Sequence, residues 1–277
     1  MWRPFADLHT HTLYSHGRGS VRDNVFMAQK RGLRLVGISD HGPGMLFGLG
    51  VNRAGTLLHI KDLTRQLAPE FSGIRILAGV EANVISTDGR LDVPKKILRQ
   101  LDYVMAGLHL QIWPASLADG RKLVLDNLVG ARLSQRLAQR ARVENTKALV
   151  EAIHKNDIDV ITHPGLKLSI NTWELARAAA ARGTALEINA GHRQVTVEFI
   201  LLARRAGAKF ILGSDAHRPE RVGQLDYAVE LARKAGLEAD DILNVAEAGE
   251  WSTKENMILG PKNRDFEFPR PETFSEL

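Results

Sequence analysis

At 277 residues the chain is long enough for one closed α/β barrel domain with a large core. Its 44% hydrophobic and 25% charged residues are those of a soluble globular protein, and the absence of cysteine excludes disulfides and thiolate metal ligands. The net charge of +5 suits an anionic substrate, but lysines and arginines are spread along the whole chain, which argues against a stripe that tracks nucleic-acid phosphates. The first residues lack the apolar core of a signal peptide, and no apolar run approaches the roughly 20 residues that a membrane span requires. A cytoplasmic protein without a membrane partner is expected.

Residues 5–8 read as a short buried strand that delivers His9 and His11, and positions i and i+2 of an extended chain face the same side. His16 follows after a turn. Ser20, with Asp23 three residues on, predicts the start of a helix to about residue 31, ended by Gly32. Residues 33–39 form a near-continuous apolar run, the mark of a strand buried on both faces, and lead into Asp40 and His41. The glycine-rich stretch 42–55 reads as a partly apolar lid. A helix over 56–67 precedes a strand over 74–80 that ends in Glu81, and a short helix over 92–100 precedes a strand over 103–108 that ends in His109. Residues 111–130 suggest a second flap.

A long helix is predicted over 131–156, then a strand over 158–162 ending in His163. Asn171 and Glu174 open a helix to residue 182, closed by Gly183. A strand over 185–188 leads into Asn189, a helix over 194–206 follows, and a strand over 209–213 delivers Asp215 and His217. Helices over 222–235 and 240–246 complete a single domain spanning 1–250. The remainder, 251–277, is expected to be a C-terminal extension, packed on the barrel or loosely ordered. Seven strand-then-helix units with no antiparallel meander predict a parallel sheet, and at this length a closed barrel with its functional groups at the C-terminal strand ends. Six of the seven strands end in His, Asp or Glu.

His9, His11, His16, His41, Glu81, His109, His163, Asp215 and His217 therefore converge on one rim. Such a cluster cannot stay buried and unpaired without a large desolvation cost, and bound cations resolve it. Nine nitrogen and oxygen donors exceed one tetrahedral zinc and fit two or three ions with a bridging carboxylate such as Glu81. No phosphate-cradling P-loop, Ser-His-Asp spacing or dinucleotide fingerprint competes, so metal-assisted hydrolysis is the favoured reaction class.

The series Asp7-Leu8-His9-Thr10-His11, Ser39-Asp40-His41-Gly42-Pro43, Gly79-Val80-Glu81-Ala82-Asn83, Gly107-Leu108-His109, Thr162-His163-Pro164-Gly165 and Gly213-Ser214-Asp215-Ala216-His217 resembles the PHP (polymerase and histidinol phosphatase) family. The likeness is strongest to its YcdX-like stand-alone phosphatases and runs from residue 5 to about 245. It implies a distorted seven-stranded (β/α)7 TIM-like barrel and a trinuclear site of zinc, manganese or iron. By motif position His9, His11, Glu81 and Asp215 would hold one ion, and His16, His41 and His217 a second. Glu81 would bridge to a third at His109 and His163. The implied reaction is hydrolysis of a small phosphomonoester by a metal-bridging hydroxide, with Glu81, Asp215 and His217 as its catalytic groups.

Asp40 is expected beside His41 or His16 as an orienting carboxylate, or as a strand-end cap. Among the rim cations Arg18, Arg53, Arg193 and Arg218, the last two are the better candidates for binding substrate phosphate. His59 and His154 fall inside predicted helices and read as surface residues, His192 matches no ligand position, and Phe47 and Trp113 read as packing under loops. Alternatives are a histidinol-phosphate phosphatase, a phosphodiesterase or exonuclease, and a metal-stabilised scaffold domain for a polymerase or other partner. A nucleic-acid partner is disfavoured because 6% aromatics, dispersed along the chain, provide no stacking groove.

Overall fold

Successive side chains of a strand face opposite sides, so a strand covered on both faces must be apolar at nearly every position. In the computed structural model, which describes residues 1–247, that rule organises the strands. They are β1 (Arg3–Pro4), β2 (Ala6–Asp7), β3 (Leu35–Ile38), β4 (Arg75–Ala78), β5 (Glu81–Asn83), β6 (Met105–Gly107), β7 (Val160–Ile161), β8 (Ala185–Asn189), β9 (Phe210–Gly213) and β10 (Val245–Ala246). β2, β3 and β4 form one parallel sheet, β5 to β9 another, each in chain order, so the fold is α/β with parallel sheets. Single parallel bridges, Thr10 with Ala216 and His41 with Glu81, join residues of the two sheets' exits.

Alternation divides the core in two. In β3, Leu35 faces a small inner cluster while Val36 and Ile38 face the helices; in β9, Ile211 faces inward while Phe210 and Leu212 face outward. Ala6, Leu35, Leu77, Met105, Val160, Ala185 and Ile211, each from a different parallel strand, make up most of the inner cluster, and Tyr103 packs among them. The outer cluster is completed by the helices Val21–Lys30, Gly55–Leu67, Gln135–Lys155, Thr172–Arg182, Val197–Arg205 and Asp226–Lys234.

The strand expected over 74–80 shortens to β4, and the residues expected as its exit form β5 after a break at Gly79-Val80, so eight short parallel strands in two sheets replace the expected seven. Tyr103 packs against the break. Its hydroxyl donates to the Leu8 carbonyl at 2.6 Å, and its ring lies so close that a Cβ on Gly79 would sit 2.4 Å from it. Gly79→Ala should accordingly destabilise the protein by about 1–3 kcal/mol, the usual cost of overpacking. Denaturant melts will check this; an unchanged midpoint would mean the ring is free to move aside.

Local chemistry explains the other boundaries. Ser20 and Asp23 form the expected capping box, and Asn171 caps Thr172–Arg182, which Gly183 closes with φ of 67°. The helix expected over 92–100 shrinks to Lys95–Leu98, because half-buried Asp92 accepts from the backbone N–H and side-chain amide of Asn83 and the N–H of Gly44. The long helix starts at Gln135, not 131, where Ser134 caps it. In place of a flap, 111–113 pairs with 44–46 through the Met45–Ile112 bridge, and a wide-turned π-helical segment, Gly120–Gly130, follows.

The helix expected over 240–246 is absent; β10 instead pairs antiparallel with β1. Buried Asn244 imposes this, its side chain donating to the carbonyls of Ala6 and Leu212 and accepting from the Leu212 N–H. The expected extension 251–277 lies outside the described residues.

Candidate metal centre

The parallel strands deliver the polar residues to one end. His9 and His11 leave β2 with ring centroids 5.1 Å apart, His41 follows β3, Glu81 opens β5, His109 follows β6, His163 follows β7, and Asp215 and His217 follow β9. Glu81 is fully buried at the centre. Its Oε2 lies 3.0 Å from His41 Nδ1, 3.2 Å from His9 Nε2 and 3.5 Å from His11 Nε2; its Oε1 lies 2.7 Å from His163 Nε2 and 3.3 Å from His109 Nε2. Asp215 Oδ1 is 3.2 Å from His11 Nε2 and 3.5 Å from His9 Nε2. Asp215 and His163 hold left-handed backbone, with φ of 53° and 27°. Non-glycine residues adopt such conformations only where the surroundings enforce them, and such residues cluster at functional sites.

Four trios of donors each have their ligand atoms within 4.8 Å of one another: His11, His41 and His217; His9, His11 and Asp215; His9, Glu81 and His163; His41, Glu81 and His109. His16 belongs to none of them but packs on the group, its ring 4.1 Å from that of His217 and 5.0 Å from that of His41. Buried atoms without a hydrogen-bond partner include His9 Nε2, both ring nitrogens of His11, His41 Nδ1, both Glu81 oxygens and His217 Nε2. Buried polar atoms are seldom left orphaned, and these seven converge. Three rings of the group have one nitrogen anchored: His9 Nδ1 donates to Glu187 Oε1 at 2.6 Å, His16 Nδ1 to the Leu49 carbonyl at 2.9 Å, and His217 Nδ1 to the Asp215 carbonyl at 2.9 Å. That is how metal-ligating histidines are held, one nitrogen anchored and the other presented to the ion. The donor set therefore fits divalent cations.

The electrostatics agree. Burial opposes ionisation of Glu81, but His41, His9, His163 and His109 hold its carboxyl well below the usual range, and Asp215 is held low by His9 and His11 against its own burial. Both are anionic. Burial, reinforced by neighbouring imidazoles, pushes His11 well down, and burial takes His41 to about 4 despite Glu81, so both are neutral near pH 7, as metal ligation requires. His9 goes the other way: burial disfavours its charge, yet Glu187, Asp215 and Glu81 together raise it well above the ordinary histidine value.

Other expectations shift. Asp40 is buried, but its oxygens accept from Thr12 and Ser15, so it fastens the loop carrying His11 and His16 and touches neither His41 nor His16 as expected. Phe47 and Trp113 are exposed at 86% and 68%, not packed under loops, because the strand-like pairing of 44–46 with 111–113 holds their backbone at the rim. His59 and His154 lie exposed in helices as read. His192, which matched no ligand position, sits with Nε2 3.1 Å from Asp215 Oδ2.

A cavity of about 440 Å³ opens over the cluster, lined by Arg18, Lys167 and Arg218 together with the apolar Met45, Leu49, Leu108 and Leu110. Arg193 does not line it; this arginine, expected at the phosphate, lines a neighbouring cavity of about 370 Å³. Arg53 lines neither. Glu187 was not singled out from the sequence. It is fully buried on β8, and besides His9 it accepts from the His163 N–H at 2.7 Å and the Asn189 amide at 3.0 Å. The available signal was a carboxylate within the apolar run Ala185–Ile188, where a charge buried on both faces demands partners.

The family model described as PHP domain matches residues 7–214. A protein named probable phosphatase from Caldanaerobacter subterraneus subsp. tengcongensis is 31% identical over 254 residues, covering 88% of each chain. Another so named from Shewanella sp. strain ANA-3 is 31% identical over 249 residues, covering 86% of each. Among solved structures, a histidinol phosphate phosphatase from Lactococcus lactis subsp. lactis, complexed with zinc, L-histidinol and phosphate, superposes with a TM-score of 0.57 at 18% identity, over 85% of this chain and 95% of that one, a likeness of fold. With the motif series, the strand-end cluster and these matches in agreement, the chain belongs to the PHP domain family.

Proposed function

We propose that the protein is a metal-dependent phosphoesterase that hydrolyses a small phosphomonoester. The observation that carries this reading is the set of buried, unpartnered histidine and carboxylate atoms gathered around Glu81, with the rings of His9, His16 and His217 each anchored through Nδ1. His9, His11, Glu81 and Asp215 would hold one ion, His16, His41 and His217 a second, and His109 and His163 a third shared with Glu81, the ions being zinc, manganese or iron. In the same reading the two sheets act as one distorted seven-stranded barrel domain, β4 and β5 counting as a single interrupted strand, supported by the bridges at Thr10 and His41. Among the described residues no helix is long and apolar enough to cross a membrane, and a cytoplasmic location is part of the proposal.

Bound divalent ions supply Lewis acidity to a phosphoryl group and lower the pKa of water toward neutrality. The chain's own residues do the rest. Glu81 and Asp215 provide the fixed negative charge that draws cations in, and the anchored imidazoles hold the donors in place. Arg18, Lys167 and Arg218 face the cavity where the phosphoryl oxygens would lie, and the apolar side formed by Met45, Leu49, Leu108 and Leu110 suits the leaving group. A cavity of about 440 Å³ is in the range of small-molecule sites, favouring a monoester over a polymer.

Purified protein supplied with Mn²⁺ or Zn²⁺ should hydrolyse p-nitrophenyl phosphate, lose that activity to a chelator and regain it on reloading. Hydrolysis that survives complete stripping of metal would overturn the reading. A panel of sugar phosphates, nucleotides and histidinol phosphate then identifies the substrate.

A further inference from the structure

The cavity beside the metal cluster carries charge that hydrolysis of a simple monoester does not use. It shares His192, Asp215, His217 and Arg218 with the larger cavity, and its lining adds Arg193, Arg221 and Gln224. Three arginines thus face about 370 Å³, with Asp215 the one carboxylate on the lining, already engaged by histidines. No ion pair to an acid among the described residues involves Arg193, Arg218 or Arg221. Glu230, whose titration feels Arg193, is paired with Lys234 at 2.6 Å.

Two of the three guanidinium groups are also held in place. Arg221 Nη1 donates to Gln224 Oε1 at 3.0 Å, and the Arg193 guanidinium lies over the Tyr227 ring, 4.9 Å from its centre. Arg193 further adopts left-handed backbone, with φ of 55°, a conformation that disfavours non-glycine residues and directs this side chain from the loop after β8. Restrained arginines with donors to spare are the arrangement that recognises carboxylate and phosphate oxygens.

We propose that this side cavity is a second anion subsite, and that the preferred substrate is a small phosphomonoester carrying another anionic group, a carboxylate or a second phosphate. The inference rests on the phosphatase reading for the metal cavity and specifies its substrate class. Because the two cavities share His192, Asp215, His217 and Arg218, one compact ligand places its scissile phosphate over the metal cluster and its other anion between Arg193 and Arg221.

The test uses the full chain loaded with Mn²⁺. Initial rates are compared for 3-phosphoglycerate against glycerol 3-phosphate, and for fructose 1,6-bisphosphate against fructose 6-phosphate. In at least one pair kcat/KM for the doubly charged member should be higher by about tenfold or more, the scale of one added charge-assisted contact. The pair that discriminates identifies carboxylate or phosphate as the second anion. In R193A/R221A that ratio should fall to within about twofold of one, through a rise in KM for the doubly charged member. If p-nitrophenyl phosphate is hydrolysed but both ratios stay near one, or if a preference survives in the double variant, the subsite is overturned while the phosphatase reading stands. If no phosphate ester is hydrolysed, the phosphatase reading falls, and calorimetric titration with 3-phosphoglycerate decides the subsite separately. Binding that weakens about tenfold in R193A/R221A supports it, and equal or absent binding overturns it.

Discussion

Glu81→Gln should lower kcat on p-nitrophenyl phosphate by more than about a thousandfold, because the substitution removes the anion at the centre of the proposed cation site. Glu81 is fully buried, and its two oxygens lie within 3.5 Å of imidazole nitrogens from five histidines on four different strand exits. Glutamine keeps the shape but offers one neutral acceptor and a donor, so it would neither hold cations as a carboxylate would nor balance their charge. The circular dichroism spectrum should be unchanged while metal content and rate fall together. A variant that keeps metal and loses less than tenfold in kcat would remove Glu81 from the centre of the account.

Glu187→Gln is expected to weaken metal affinity by about 10–100-fold, the usual cost of losing a carboxylate that orients a histidine ligand. Glu187 Oε1 accepts from His9 Nδ1 at 2.6 Å and Oε2 from the backbone N–H of His163 at 2.7 Å, so one carboxylate sets both histidines of the trio that includes Glu81. A glutamine amide must place its NH2 against one of those two N–H donors. Neither orientation satisfies both. Gly213 keeps the space open, since a Cβ there would lie 1.9 Å from Glu187 Oε1. Glu187 is a positioning residue, so excess Mn²⁺ should restore most of the rate in Glu187→Gln, whereas it should not in Glu81→Gln. Loss of thermal stability with an unchanged metal dissociation constant would assign Glu187 a purely structural role.

The contrast between these two carboxylates shows what a sequence makes legible. Glu81 stands at the end of an apolar run, in line with His9, His41, His109, His163 and Asp215 at the ends of theirs, and a barrel-like α/β pattern makes that position meaningful without knowledge of any contact. Glu187 is inside its run, and its role depends on the register that sets β8 beside β9, which leaves Gly213 opposite Asn189. The parallel α/β class and most helices were legible from periodicity and caps such as Ser20 and Asn171. The break at Gly79 was not, because the Tyr103 ring that packs against it arrives from 24 residues away in the chain. Asn244 likewise turns a helix-like stretch into an edge strand through bonds to Ala6 and Leu212. Long-range side-chain contacts override local propensity at both places. Arg193 and Arg218 both line the side cavity and only Arg218 the one over the cluster, a difference set by loop geometry that spacing does not encode.

Anomalous diffraction at the manganese edge, from crystals soaked in Mn²⁺, tests the central claim most directly. The account predicts two or three peaks inside the cluster, each contacted by His, Glu or Asp atoms, with at least one beside a Glu81 oxygen. Crystals that show no peak among His9, His11, His41, Glu81, His109, His163, Asp215 and His217 would contradict it.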